Sequence, residues 1–266
     1  MGSVWLIASG KGGVGKSTLT ASLAVALGRA GKRVCAIDAD IGLRDLDAIL
    51  GVENSVVYDL LDVTRGGCAL AQALIPLPGS ENVHLLAASQ FARAKELEPK
   101  PLRKTLAALR QTCDFILLDA PAGMEKGLRT LLACQPDEII LVGTPDDTCM
   151  RDIGRVAMFL RGKGCATPWL VVNRLRPDWI LAGDMARAQT LADSLEMSLL
   201  GEIPEDEAFQ KALLRRENPM DIPCEAAAAV TRIARRVAGE TVPLPGYGTR
   251  RPRWYQRIFR RRTSKE

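Results

Sequence analysis

The sequence contains no long hydrophobic run, few aromatic residues and a single histidine. Of its 266 residues, 47% are hydrophobic but only 5% are aromatic. No apolar stretch reaches the roughly 18 residues that a membrane-spanning helix needs, which excludes a protein that crosses the bilayer. His84 lies in the apolar segment "NVHLLAA" and is expected to be a strand residue rather than a catalyst. An aliphatic interior of this kind is typical of an α/β domain.

Cysteine pairing motifs are also absent. The seven cysteines are an odd number, and no two of them are spaced as C-x-x-C. Several lie in apolar segments such as "RVCAID", so we expect buried free thiols in a reducing cytoplasm rather than disulfides or a metal site. The first residues, "MGSVWLIASG", lack the basic stretch of a secretory signal, and a cytoplasmic location is expected.

Basic charge is scarce in most of the chain and concentrated at its end. The chain has 36 Lys and Arg against 31 Asp and Glu. Eight of the basic residues and one acidic residue fall between Arg250 and Glu266, which leaves 28 basic and 30 acidic residues before them. We therefore expect an acidic partner to meet the C-terminal segment rather than the whole surface.

Short aliphatic segments alternate with helical patterns along residues 1–240. Segments that are apolar on both faces are typical of buried parallel strands joined by crossover helices. The predicted strands are residues 4–8, 33–38, 83–88, 115–120, 138–144 and 169–174. This pattern predicts one doubly wound α/β domain with a mostly parallel sheet, ending in a helix at about residues 222–238. The Pro- and Gly-rich residues 241–252 are predicted to be a flexible linker to a tail at 253–266.

A glycine-rich segment follows the first predicted strand. Residues 10–17, "GKGGVGKS", fit G-x-x-x-x-G-K-[ST] with a strand before and a helix after, which predicts a P-loop NTPase. Backbone N–H groups and the helix N-terminus can surround a phosphate chain, Lys16 can reach the β- and γ-phosphates, and Ser17 can ligate Mg²⁺. The predicted nucleotide-binding residues of the loop are Gly12, Gly13, Val14, Gly15, Lys16, Ser17 and Thr18.

Acidic side chains follow two other predicted strands, at the sheet edge where ligands bind. Asp38 and Asp40 lie in "IDADIGLRDLD", and Asp119 follows a wholly apolar run in "FILLDAPAGME". A carboxylate at this edge can hold Mg²⁺ through water, and a loop acid can orient the attacking water. The alternative, from these residues alone, is that they are solvated loop acids.

Two further segments offer groups for a base. Asn173 in "VVNRLRPD" can pair with a purine edge, and the guanidinium of Arg174 can stack on the ring. The segment "GEIPEDEAF" adds Pro204, Glu205 and Asp206 in a rigid turn. An Asn at a strand end is more often turn chemistry, so residue types alone leave this site open.

A second lysine, Lys11, gives the loop its signature-lysine form, "KGGVGKS". With this motif the sequence resembles the ParA/MinD class of deviant Walker ATPases. The resemblance implies that Lys11 reaches across a homodimer to the partner's ATP. Solvated surface charge is the alternative reading of Lys11.

The same resemblance assigns roles to the acids and loops. It implies that Asp40 is the catalytic acid of switch I, that Asp38 and Asp119 hold Mg²⁺ through water, and that Gly123 senses the γ-phosphate in switch II. Catalytic roles thus fall to Lys11, Lys16 and Asp40, with ATP and Mg²⁺ as the cofactors. By the same resemblance, Asn173 and Arg174 and the residues 204–206 match the adenine-binding loops.

Longer segments narrow the resemblance to the division-site members of that class. "ASQFARAKELEP", "MRDIGRV" and "IPEDEAFQKALLRRENP" match them in order and spacing, although Asp45, Ala120 and Gly154 depart from the common residues. The resemblance implies an ATPase that cycles on and off the inner face of the cell membrane. The implied partners are the division inhibitor MinC and a topological regulator, either MinE or a pole-associated factor. A DNA-partition or cargo-positioning ATPase of the ParA type is the alternative.

The C-terminal tail decides between these alternatives. On a helix, at roughly 100° per residue, its aromatic and aliphatic side chains share one face and most of its arginines the other. The residues predicted to bind membrane are Trp254, Tyr255, Arg257, Ile258, Phe259, Arg260 and Arg261. This pattern is typical of an in-plane amphipathic helix on anionic lipids. A nucleic-acid tail is less favoured because the near-neutral body lacks a basic footprint, so no nucleic acid is expected. A helix docked on its own domain is the remaining alternative.

Overall fold

The computed structural model describes residues 1–123 and 126–248. The chain forms an eight-stranded sheet in the order β3-β4-β2-β5-β1-β6-β7-β8. The strands are β1 Ser3–Ala8, β2 Val34–Asp38, β3 Ile75–Leu77, β4 Ser80–Leu86, β5 Phe115–Asp119, β6 Glu138–Gly143, β7 Trp169–Leu175 and β8 Ser198–Pro204. All neighbours pair in parallel except β3, which is antiparallel to β4. Parallel strands place their carboxyl ends, and therefore the predicted site segments, at one edge.

Helices connect the strands and cover the sheet. They are α1 Lys16–Arg29, α2 Leu46–Leu50, α3 Leu60–Thr64, α4 Leu70–Ala73, α5 Pro99–Thr112, α6 Lys126–Leu132, α7 Asp147–Gly162, α8 Pro177–Ala182, α9 Ala188–Ser194, α10 Glu207–Leu214 and α11 Glu225–Val237. Of these, α1 is buried along nearly its whole length, because it packs between the sheet and α11. Such packing fixes the start of α1, which is the end of the phosphate loop.

The predicted α/β fold is confirmed, with two strands added. The six predicted strands match β1, β2, β4, β5, β6 and β7 to within a few residues. Sequence reasoning missed β3, which is only three residues long, and β8, of which it singled out only the last residue, Pro204, as part of a turn. The predicted last helix is α11. The predicted amphipathic tail lies outside the described residues.

The cysteines are in the state that the sequence predicted. All seven cysteines are free thiols, and four of them are buried. Burial raises the pKa of the Cys134 thiol to about 11, so this side chain is protonated at neutral pH.

Among the described residues, none of the helices combines the length and the apolar content that crossing a bilayer demands.

Residues 241–248, here called the strap, lie against the domain instead of forming the start of a free linker. The buried carboxylate of Glu202 accepts hydrogen bonds from the backbone N–H groups of Gly246 at 2.8 Å and Tyr247 at 3.3 Å. The guanidinium of Arg236 donates to the carbonyls of Val242 at 2.8 Å and Pro243 at 2.7 Å. These contacts correct the expectation of flexibility for 241–248; residues 249–252 lie outside the described range.

We expect Glu202→Ala to release the strap. The change removes a buried carboxylate that accepts two backbone N–H groups, and charged hydrogen bonds of this kind stabilise by about 1.5–3 kcal/mol. Hydrogen exchange should accelerate at Gly246 and Tyr247 while the amides of the central strands stay protected. Glu240→Ala, which removes an exposed partner of Arg235, serves as the matched control. Unchanged exchange at residues 246 and 247 would refute the anchoring role of Glu202.

Candidate functional site

The phosphate loop joins β1 to α1 at the carboxyl edge of the sheet. Gly13 and Gly15 have φ angles of 77° and 92°, which lie in the left-handed region that glycine tolerates best. A Cβ at residue 15 would also collide with the amide nitrogen of Asn173. The loop is therefore shaped by conformations and close approaches that larger residues would prevent. It lines a cleft of about 510 Å³ together with Asp40 and Ala122.

Four side chains, three of them buried and Ser17 half-buried, form a network at the start of α1. Lys16 Nζ lies 2.7 Å from Asp119 Oδ2 and 3.1 Å from Ser17 Oγ. The hydroxyl of Ser17 donates to Asp119 Oδ2 at 2.7 Å, and the hydroxyl of Thr20 donates to Asp119 Oδ1 at 2.7 Å. Asp119 is fully buried and Lys16 is 7% exposed. The ammonium of Lys16 and the two hydroxyls compensate the negative charge of the buried Asp119 carboxylate. Without these partners the buried charge would be strongly destabilising.

Thr20 is the member of this network that sequence reasoning missed. It lies one helical turn after Lys16, and its hydroxyl oxygen is also 3.1 Å from the carbonyl oxygen of Lys16. Its hydroxyl holds one oxygen of Asp119 and leaves the other to Lys16 and Ser17. A Thr inside a mostly apolar helix gives no local signal, and its role is set by a contact 99 residues away.

Asp38 shapes the loop that follows β2. Its Oδ1 accepts from the N–H of Asp40 at 3.0 Å, and its Oδ2 accepts from the N–H of Leu46 at 3.1 Å. Asp38 lies beside Asp119 in the sheet register. Burial, followed by the charge of Asp119, raises the pKa of the Asp38 carboxyl to about 7. A cation at this edge would favour the ionised form of Asp38.

Lys11 and Asp40 line the rim of the same cleft. Lys11 is exposed, which fits both a residue that reaches a partner's nucleotide and a solvated surface charge, and Asp40 is half-buried. Gly123, with φ 79°, donates its N–H to the carbonyl of Ser9 at 3.0 Å. The predicted switch residues therefore surround the phosphate loop, although their roles in catalysis stay predictions.

A second pocket, of about 340 Å³, adjoins the loop on the side of β7 and β8. It is lined by Gly15, Thr18, Asn173, Arg174, Ile203, Pro204, Glu205, Asp206, Phe209, Gln210, Leu213 and Ala226. The apolar side chains Ile203, Phe209 and Leu213 suit the face of a purine. Arg174 borders both pockets, so one ligand can extend from the phosphate loop into this pocket.

Two of the predicted base-binding residues have structural partners. Asn173 Nδ2 donates to the carbonyl of Val14 at 2.8 Å, and Asn173 Oδ1 accepts from the N–H of Arg174 at 2.9 Å. The carboxylate of Asp206 accepts from backbone N–H groups at the starts of α10 and α11. Both residues therefore shape the pocket. Each amide atom of Asn173 retains capacity for one further hydrogen bond.

The donor set at the sheet edge fits Mg²⁺. The hydroxyl of Ser17 and the carboxylates of Asp119 and Asp38 are hard oxygen groups, which Mg²⁺ prefers, and Ser17 lies within 2.7 Å of Asp119. Residues 1–123 and 126–248 contain no group of three His, Cys, Asp or Glu side chains that is arranged to hold a metal ion. A cation bound largely by phosphates and water needs no such protein cage.

Comparison with known proteins places the chain in a family. The model of the CobQ/CobB/MinD/ParA nucleotide-binding domain matches residues 5–220. The septum site-determining protein MinD of Helicobacter pylori is 40% identical over 258 residues, covering 94% of this chain and 96% of that protein. The septum site-determining protein MinD of Bacillus subtilis is 38% identical over 247 residues, covering 92% of each.

Solved structures agree with these relatives. The MinC:MinD cell division protein complex of Aquifex aeolicus has a chain with a TM-score of 0.84 and 36% identity, covering 93% of this chain and 100% of that one. Septum site-determining MinD of Pyrococcus horikoshii, complexed with Mg-ADP, gives 0.77 and 32%, covering 89% and 96%. Sequence and fold agree over almost the whole length. The chain therefore belongs to the MinD family of P-loop ATPases within the CobQ/CobB/MinD/ParA nucleotide-binding domains.

Proposed function

We propose that this ATPase places the cell-division site by recruiting the division inhibitor MinC to the membrane in its ATP-bound state. The observation that carries the proposal is the Lys16–Ser17–Thr20–Asp119 network beneath a loop whose rim presents Lys11 and Asp40. The relatives described as septum site-determining proteins support the division role. In this proposal the ATP-bound homodimer attaches to the inner face of the cell membrane and hydrolysis releases it.

In this proposal the chain's own groups divide the work of hydrolysis. The β- and γ-phosphates draw Lys16 from Asp119, and the loop N–H groups hold the phosphate chain. Ser17 and, through water, Asp119 and Asp38 would hold Mg²⁺, which would supply positive charge beside the phosphates. Asp40 orients the attacking water. The side chain of Asp38 positions Asp40 by accepting a hydrogen bond from the backbone N–H of Asp40.

Dimerisation is expected to require ATP and Lys11. Lys11 is exposed at the rim of the phosphate cleft, where it can meet the γ-phosphate bound by a second subunit. A slowly hydrolysing Asp40→Ala protein should be dimeric with ATP and monomeric with ADP in light scattering. Adding Lys11→Ala should leave it monomeric with ATP, whereas Lys163→Ala, at an exposed site after α7, should not. A dimer of equal stability in ADP would refute the switch.

The surface of α7 near Asp152 is the proposed binding site for MinC. Gly10, at the start of the phosphate loop, packs directly on this helix, since a Cβ on it would lie 2.7 Å from Asp152 Cβ. Asp152 is partly exposed and pairs with Arg155 at 3.3 Å. A partner on this face therefore lies beside the nucleotide loop, which gives a physical route by which ATP can control its binding.

Asp152→Ala is expected to weaken MinC capture at least about tenfold, because it removes a charged group from the part of α7 against which Gly10 of the loop packs. Binding should be measured with the ATP-bound protein and MinC of the same organism. Asp193→Ala, at an exposed position on α9, is the matched control. Capture that is unaffected by Asp152→Ala would mean that the surface is wrongly assigned.

The proposed function is tested by reconstitution with anionic vesicles, ATP and MinC. MinC should sediment with the vesicles only when the ATPase and ATP are both present. The topological regulator, MinE or a pole-associated factor, should then increase ATP hydrolysis and release both proteins. Retention of MinC in the supernatant under every condition would refute the recruiting role.

A further inference from the structure

Helix α8 carries two large apolar side chains at the surface. Trp179 is 45% exposed and Leu181 is 59% exposed, whereas Ile180 between them is buried. Successive side chains on a helix point about 100° apart. Ile180 points toward the domain, and Trp179 and Leu181 therefore point about 100° to either side of it. We call these two exposed side chains the α8 patch.

The strap ends against this helix. A Cβ at residue 248 would collide with the side chain of Ile180, and Gly248 has a φ of 77°. Glycine is thus required here both for the close approach and for the backbone conformation. The main chain consequently leaves the described domain directly beside the α8 patch.

The length of the remaining chain limits how far the tail can lie from α8. Five residues lie between Gly248 and Trp254, the first aromatic residue of the tail, so six Cα-to-Cα steps join the two. Even a fully extended chain spans at most about 21 Å over six residues. A bilayer that binds the tail must therefore approach the face of the domain that carries α8.

The charges that lie against the patch are one cation and two acids. The Arg176 guanidinium stacks on the Trp179 ring at 4.2 Å and pairs with Asp178 at 3.3 Å and Glu205 at 3.8 Å. A tryptophan with a cation stacked on it suits the boundary between headgroups and acyl chains, where one side is apolar and the other is wet. Attraction at this patch would thus be mainly apolar, unlike that of the arginine-rich tail.

We infer that the α8 patch is a second lipid-contacting surface, which inserts Trp179 and Leu181 into the same bilayer that receives the tail. The inference rests on the proposed function, because the tail brings the membrane to this face. It adds to that function a contact made by the folded domain itself. The tail and the α8 patch then fix the orientation of the domain on the membrane together, whereas the tail alone would only tether it.

Vesicle sedimentation of the full chain with ATP tests the inference. The double variant Trp179→Ala/Leu181→Ser should bind vesicles of phosphatidylcholine and phosphatidylglycerol about tenfold more weakly, since each subunit loses two apolar contacts. The control Leu214→Ser removes an 85% exposed leucine at the end of α10 and should have no effect. The ratio between wild type and double variant should stay constant with salt, while both affinities fall because the arginines are screened.

Each of the other possible results of this experiment has a different meaning. Unchanged binding of the double variant, beside a wild type that binds, would overturn the inference and leave the proposed function intact. Tighter binding would mean that the patch covers the tail in water and restrains it. Loss of ATP-dependent dimerisation in light scattering would assign the patch to the subunit interface. Failure of the wild type to bind would overturn both the proposed function and the inference.

Fluorescence gives a direct readout of the contact. In a Trp254→Phe background, vesicles with lipids brominated near the headgroup should quench Trp179. The quenched component should disappear in Trp254→Phe/Trp179→Phe, which leaves only Trp5 and Trp169. Equal quenching in the two proteins would show that Trp179 does not reach the lipid.

Discussion

Lys16→Ala is expected to lower the affinity for Mg-ATP at least about a hundredfold, whereas Asp40→Ala should retain ATP and hydrolyse it about a hundredfold more slowly. Lys16 lies 2.7 Å from Asp119 at the floor of the phosphate cleft, where its charge meets the phosphates in both the ground state and the transition state. Asp40 lies at the rim, where it can position water without holding the nucleotide. Calorimetric binding and single-turnover hydrolysis separate the two effects.

The control for this comparison addresses folding. Removing Lys16 leaves the fully buried Asp119 with only the hydroxyls of Ser17 and Thr20, and loss of one partner of a buried pair costs about 3–5 kcal/mol. Lys16→Gln keeps a hydrogen-bond donor toward Asp119 but removes the charge. It should stay folded by circular dichroism and still fail to bind ATP. Wild-type turnover by Asp40→Ala would refute the catalytic role of Asp40.

Membrane binding is expected to depend on the nucleotide through the number of tails that act together. A helix of about ten residues is too short to be stable in water, so a single tail should bind a bilayer weakly. In an ATP dimer the second tail binds from a high local concentration, which gives a gain of roughly 10²- to 10⁴-fold. Under the proposed function, ATP would therefore control attachment without contacting the tail.

Variants of the tail separate attachment from dimerisation. Phe259→Glu, or deletion after Gly248, should abolish sedimentation with anionic vesicles while ATP still dimerises the domain. Fusion of the tail to a constitutive dimer should restore vesicle binding without nucleotide. If a monomeric fusion bound equally well, avidity would not be the controlling factor.

Much of the nucleotide site was predictable because each part has a local sequence signal. Glycines followed by Lys16 and Ser17 specify a phosphate loop, and acids directly after apolar runs lie at the carboxyl edge of a parallel sheet. Topology then brings Asp38 beside Asp119 without any further information. The fold class follows from the same alternation of strands and helices.

The features that sequence reasoning missed depend on contacts between distant residues. Thr20 has no motif of its own, and its role requires Asp119, at the end of β5, to lie beside it. The strap has the Pro and Gly content of a linker, but the buried carboxylate of Glu202 binds it. Composition describes the freedom of a free chain, and it cannot reveal a buried acid 44 residues away that removes this freedom.

The most direct test of the account is sedimentation of the wild-type chain with anionic vesicles and, in parallel, with DNA, each in ATP and in ADP at physiological salt. The account predicts strong binding to vesicles in ATP, little binding in ADP, and no nucleotide-dependent binding to DNA. Equal vesicle binding in ATP and ADP would mean that the arginines act as a simple electrostatic anchor. ATP-dependent binding to DNA in place of vesicles would contradict the account and favour a DNA-partition ATPase.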